Sequence, residues 1–111
     1  MTTLEILTQA IKERKPISFQ YIKPGKTSGN RIGNTHAIFL STKNDGTQST
    51  HVHIVQTSGV TDEPEETFPK WNTFKIEFLT DIEILENAPT FEIDPLYKPN
   101  SPMYSRVIEK I

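Results

Sequence analysis

The sequence predicts a small α+β domain: an N-terminal helix, about five short strands in a strongly bent antiparallel sheet or barrel, and a C-terminal extension ending in a short helix. Three observations predict it. Apolar residues recur at helical spacing in one early segment and again near the C-terminus, period-two alternation dominates from Ile17 to Leu85, and proline-punctuated chain follows Ala88. The boundaries expected on this basis are residues 1–87 for the barrel with its helix and residues 88–111 for an extension packed on the same domain.

Thr2-Thr3-Leu4-Glu5 reads as a capping box, and Leu4, Leu7, Ala10 and Ile11, flanked by Ile6, share one face of the helix it starts. Pro16 disfavours helical geometry at Lys15 and closes the helix. From Ile17 the period becomes two, with Ile17, Phe19 and Tyr21 on one side of a strand and Ser18, Gln20 and Ile22 on the other. Pro24, Gly25, Ser28, Gly29 and Asn30 supply a loop, and Arg31 to Ser41 forms the second strand. Asn44-Asp45-Gly46 is a hairpin signal leading into Ser49 to Gln56, where His51, His53 and Val55 oppose Val52, Ile54 and Gln56. Thr57 to Lys70, with four acids, Gly59, Pro64 and Pro69, reads as an exposed loop. Trp71, Phe74, Ile76 and Phe78-Leu79 build a fourth strand, and Ile82, Ile84 and Leu85 a fifth. Ser101-Pro102 resembles a helix cap, and Met103, Tyr104, Val107, Ile108 and Ile111 follow at helical spacing, although β-branched side chains suit a strand as well.

With no cysteine, disulfides and thiolate metal sites are excluded. No apolar run approaches a membrane span, and the first residues carry their charge after the apolar part, unlike a secretory signal; a soluble cytoplasmic protein is expected. The net charge of -2 conceals an asymmetry: residues 1–31 sum to +4 and the remainder to -6. That balance argues against a coat for duplex DNA and suits a small anion or a short single strand.

Several constellations carry chemistry. His36, His51 and His53 could bring three imidazoles together for a metal, but histidine pairs on a solvated strand face are the commoner arrangement, and no metal or other cofactor is expected. Lys23 to Gly29 superficially resembles a phosphate loop but lacks the spaced glycine and the following helix, so it reads as a basic loop. No nucleophile elbow or Walker loop occurs, and the protein is expected not to be an enzyme. Lys23, Lys26 and Arg31 are interleaved with Phe19, Tyr21 and later Trp71, the combination that stacks bases and pairs phosphates; against this, the aromatics equally suit a core and the lysines a strand edge.

The order of AIKERKPISFQY, RIGNTHAIFL, THVHIVQTSGV and WNTFKIEFLTDIEIL resembles the WYL domain, a bacterial regulatory module, over about Leu4 to Leu85. His51-Val52-His53 falls near the place of the family's naming tripeptide, and Asn72 stands where the family usually carries an arginine. The resemblance implies a small Sm-like, strongly bent five-stranded antiparallel β-barrel with a packed helix, often a sensor of nucleic acid or nucleotide-derived signals in transcriptional regulators and phage defence. No helix-turn-helix precedes it, so a stand-alone module is expected. Carried over by position, the ligand-binding residues are Arg31, Tyr21, His36, His51, His53, Trp71 and Lys75, with Lys23 and Lys26 from the basic loop.

Two functions follow as expectations. The first is a regulatory module recognising a nucleotide-derived anion or single-stranded nucleic acid, Arg31 pairing with phosphate. The second is a protein-interaction or homodimeric assembly domain that uses the barrel edge and the tail through Leu96, Tyr97, Met103 and Tyr104.

Overall fold

A computed structural model describes residues 1–62 and 67–111. Helix α1 spans Thr3–Glu13 and begins as the capping box requires: Glu5 N–H donates to Thr2 Oγ1 at 3.1 Å and Thr2 N–H to Glu5 Oε1 at 3.0 Å. It ends where Arg14 turns left-handed at φ 52°, its N–H returning to the last helical carbonyls ahead of Pro16.

The strands are β1 (Ile17–Tyr21), β2 (Asn30–Thr42), β3 (Gln48–Gly59), β4 (Lys70–Lys75), β5 (Leu79–Ile84) and β6 (Val107–Lys110). They form one open antiparallel sheet in the order β4-β3-β2-β1-β5, with β6 added to β2. β4 and β5 lie at opposite edges yet are joined by a single 3-10 turn, Ile76–Phe78, so the sheet must curl to bring those edges toward one another. Ile22 N–H reaches Phe78 O at 2.9 Å across that corner.

β2 and β3 run far longer than the other strands, and β2 shares its second edge between β1 and β6. Here the chain departs from expectation: it ends in a strand instead of a short helix. Ser101 and Pro102 do cap a turn, but it lasts only Pro102–Tyr104 as a 3-10 turn. Beyond β1 the edge of β2 offers unpaired backbone groups, and β-branched Val107 and Ile108 lie in the strand that fills them, with Leu40 N–H bonding Arg106 O at 2.9 Å.

Side chains on the inner face of the sheet, Phe19, Tyr21, Ile38, Val52, Ile54 and Phe74 among them, pack with Leu7, Ala10 and Ile11 of α1. The tail covers the opposite face, where Ala37, Phe39 and Tyr104 cluster with Tyr97. It is tied to the end of α1 by Lys15 Nζ to Ala88 O at 2.6 Å and Phe91 N–H to Arg14 O at 2.8 Å. The expected long loop is shorter than the sequence suggests, since β3 continues to Gly59; Glu63, Pro64, Glu65 and Glu66 lie outside the described residues.

Candidate ligand-binding site

The residues singled out in the sequence divide between the two faces. Strand parity puts Arg31 and Tyr21 on the inner face at one corner, with Lys23 and Lys26 on the loop beside them; His51, His53, Trp71 and Lys75 project from the outer face. His36 joins the outer group because a register shift between Thr35 and Ala37 turns it toward the tail.

Arg31 is 1% exposed, so its charge is held by protein groups. Nη1 donates to Gln56 Oε1 at 3.1 Å, and Nη2 donates to Thr27 O at 3.0 Å and to Asp62 Oδ1 at 3.1 Å. Its Cζ lies 5.7 Å from the centroid of the Phe74 ring. Gln56, itself fully buried, also accepts from Asn72 Nδ2 at 3.2 Å and donates to Ser58 O and Val60 O at 3.1 and 2.8 Å, which fixes the amide orientation. Arg31 Nε is buried without a partner among the described residues.

Asp62 collects the remaining positive groups. Thr27 N–H donates to Oδ1 at 2.8 Å and Lys26 Nζ stands 3.8 Å from Oδ2. Burial raises the Asp62 carboxyl, but the Thr27 N–H, Arg31 and Lys26 outweigh it and hold the group below its ordinary value. Next to this cluster, Tyr21 accepts Lys75 N–H at 3.0 Å and meets Phe74 and Phe78 edge-on, while Lys23 Nζ sits 5.9 Å from the Phe78 centroid.

The outer histidines differ in what they can still bind. His36 Nε2 accepts Asp94 N–H at 3.1 Å, so the ring proton is on Nδ1 and is donated to Asn34 O at 2.9 Å; with both nitrogens used, this side chain is structural. It is stacked on Phe91 and tilted against Trp71. His51 Nε2 lies 2.9 Å from Ser49 Oγ. His53 Nδ1 lies 2.5 Å from the Tyr104 hydroxyl, and burial, aided by His51 and His36, pushes the imidazole down to about 4, whereas burial pushes the Tyr104 phenol up to about 12. Trp71 Nε1 donates to Asp94 Oδ1 at 3.0 Å. No group of three metal-ligating side chains is placed to hold an ion among the described residues.

No protein-family model, curated protein or solved structure matches this chain. Sequence reasoning missed Thr27, Gln56 and Asp62, the partners that bury Arg31. Gln56 carried a signal, since it stands at the parity of apolar Val52 and Ile54. Asp62 carried none, being one acid in an acidic run. Of the proposed interaction residues, Tyr104 and Tyr97 pack on the outer face, leaving Leu96 and Met103 exposed at 70% and 51%.

Proposed function

We propose that this chain is a WYL-like binding module, not a catalyst, whose Arg31 corner recognises a nucleotide-derived anion or the phosphate of single-stranded nucleic acid. The observation that carries the reading is the convergence of Arg31 Nη2, the Thr27 N–H and Lys26 Nζ on one carboxylate, that of Asp62. Such a set of donors suits a phosphate oxygen as well as a carboxylate oxygen, and Gln56 holds the guanidinium in position for either. Half-buried Phe78, beneath the Lys23 ammonium, offers an aromatic face for a base next to that anion. In this reading Asp62 occupies the position of the ligand's anion and leaves when ligand arrives. The single-turn link between β4 and β5 and the helix packed on the inner face are compatible with the Sm-like barrel the resemblance implies.

The test is a thermal-shift and titration screen against mononucleotides, cyclic nucleotides and short single-stranded DNA and RNA at two salt concentrations. Binding raises the midpoint, the rise shrinks with salt, and Lys26→Ala weakens it. No shift with any of these probes at either salt contradicts the reading. The alternative, an assembly domain using the barrel edge and the tail, draws on the exposure of Leu96 and Met103; concentration-dependent mass in light scattering that disappears in Leu96→Glu would favour it.

A further inference from the structure

The outer face holds a hollow of about 200 Å³ that the Arg31 corner does not explain. His53 of β3 and Trp71 of β4 line it on the sheet side, and Leu96, Lys98, Met103 and Tyr104 of the tail line the other. A second hollow of about 340 Å³ adjoins it, sharing His53 and Met103. The first is an open hollow lined mainly by apolar and aromatic side chains, with Lys98 and Ser101 also in its wall. Two of the most exposed large apolar side chains in the described chain, Leu96 and Met103, stand at its rim.

Its buried polar group is His53, which is more than nine-tenths buried. Nδ1 is occupied by Tyr104, and no hydrogen bond reaches Nε2 among the described residues. Among the described residues the buried, unpartnered side-chain atoms are Arg31 Nε and Thr35 Oγ1; His53 Nε2 is not one of them, so this nitrogen reaches accessible space, and the hollows are what His53 lines. A phenol is a stronger hydrogen-bond donor than a neutral imidazole N–H, so the Tyr104 O–H donates to His53 Nδ1, which leaves the ring proton on Nε2 as a donor toward the hollow. The low affinity of buried His53 for a second proton and the high affinity of Tyr104 for its own keep this arrangement at neutral pH. Lys98 makes no ion pair among the described residues.

We infer that this hollow binds a small planar aromatic anion, its ring against Trp71 and Met103, an acceptor atom on His53 Nε2–H and its carboxylate or phosphate at Lys98. Aromatic walls select a flat ring, Met103 adapts to its outline, and an unpaired ammonium selects the charge. The site is separate from the Arg31 corner because the two lie on opposite faces of the sheet. It also requires the tail, which lies outside the stretch that carries the family resemblance.

Trp71 is the only tryptophan, so its fluorescence reports occupancy of this hollow directly. The full chain is titrated with benzoate and nicotinate, with nicotinamide and cyclohexanecarboxylate as controls lacking charge or aromaticity. The expected result is a saturable change with the two aromatic anions, weakened roughly tenfold or more by the exposed substitution Met103→Glu and less by Lys98→Ala, with both controls binding more weakly. Circular dichroism confirms that both variants fold. No saturable change in wild type overturns the proposal, as does a change of equal strength in Met103→Glu. Self-association abolished by Met103→Glu without any binding of benzoate or nicotinate overturns it in favour of an interface between copies.

Discussion

His53 and Asp62 show how burial in one case and charged and hydrogen-bonding partners in the other set the chemistry of single side chains here. Burial holds the His53 imidazole at about 4, below the ordinary value of 6.5, so the unfolded chain binds a proton that the folded chain refuses. Its contribution to stability is therefore present above pH 6.5 and is lost as the pH falls toward 4, an effect on the order of 3 kcal/mol. His36 and His51 are lowered as well, by burial first, and act in the same direction. Denaturation midpoints measured across this range should fall with acid, and His53→Gln should flatten the fall. Asp62 acts lower still, since its depressed carboxyl gives stability that is lost below about pH 3.8. Asp62→Ala should remain folded but cost about 1–3 kcal/mol in urea, because the buried Arg31 loses an acceptor. Little of this was legible beforehand. Arg31 stood out as a cation beside aromatics, but its partners Gln56 and Asp62 are 25 and 31 positions away, and no local pattern connects them.

At the level of elements, the sequence specifies structure most legibly where the chemistry is local. The capping box, the stop before Pro16 and the turn around Asn44-Asp45-Gly46 depend on neighbours within a few residues, and each is present: Lys43 N–H bonds Thr47 O at 2.8 Å around the last. The end of the chain was harder, since helical spacing and β-branched residues pointed different ways and the free edge of β2 decided between them. Parity separated His51 and His53 from Val52 and Ile54 correctly, but it could not say which side is interior, because α1 covers one face and the tail the other. Gly33 lies at a close approach of β2 to β3. A methyl group there would stand 2.6 Å from Ile54 Cγ2 and 2.8 Å from Val55 O, beside a register shift. Gly33→Ala should cost about 1–3 kcal/mol by chemical denaturation, with an unchanged binding-site chemistry if the fold recovers at lower temperature.

On the scale of the molecule, the tail is a structural layer. Phe91, Tyr97 and Tyr104 cover His36, Phe39 and Trp71, and β6 completes the edge of β2. Removing residues 88–111 should therefore abolish the cooperative thermal transition or expose enough apolar surface to cause aggregation, as scanning calorimetry and light scattering would record. For that reason truncation cannot separate a ligand-binding role from an assembly role, and single exposed substitutions must do so. The broad α+β class followed from the alternation of periods along the sequence, while the strand order rests on pairings across the chain that composition does not encode. Charge asymmetry places most of the early cations around the first strand and its loop, but the fold converts Arg31 from a surface cation into a buried one neutralised by Asp62. The most direct test of that account is calorimetric titration of wild type and Asp62→Ala with inorganic phosphate and adenosine 5′-monophosphate at low and high salt. If Arg31, Lys26 and the Thr27 N–H form an anion site that Asp62 fills, Asp62→Ala binds both probes about tenfold or more tightly than wild type, the gain shrinks with salt, and phosphate restores much of the lost stability. If Asp62→Ala is destabilised, binds neither probe and is not restored by phosphate, the Arg31–Asp62 pair is only a structural ion pair and the proposed function is wrong.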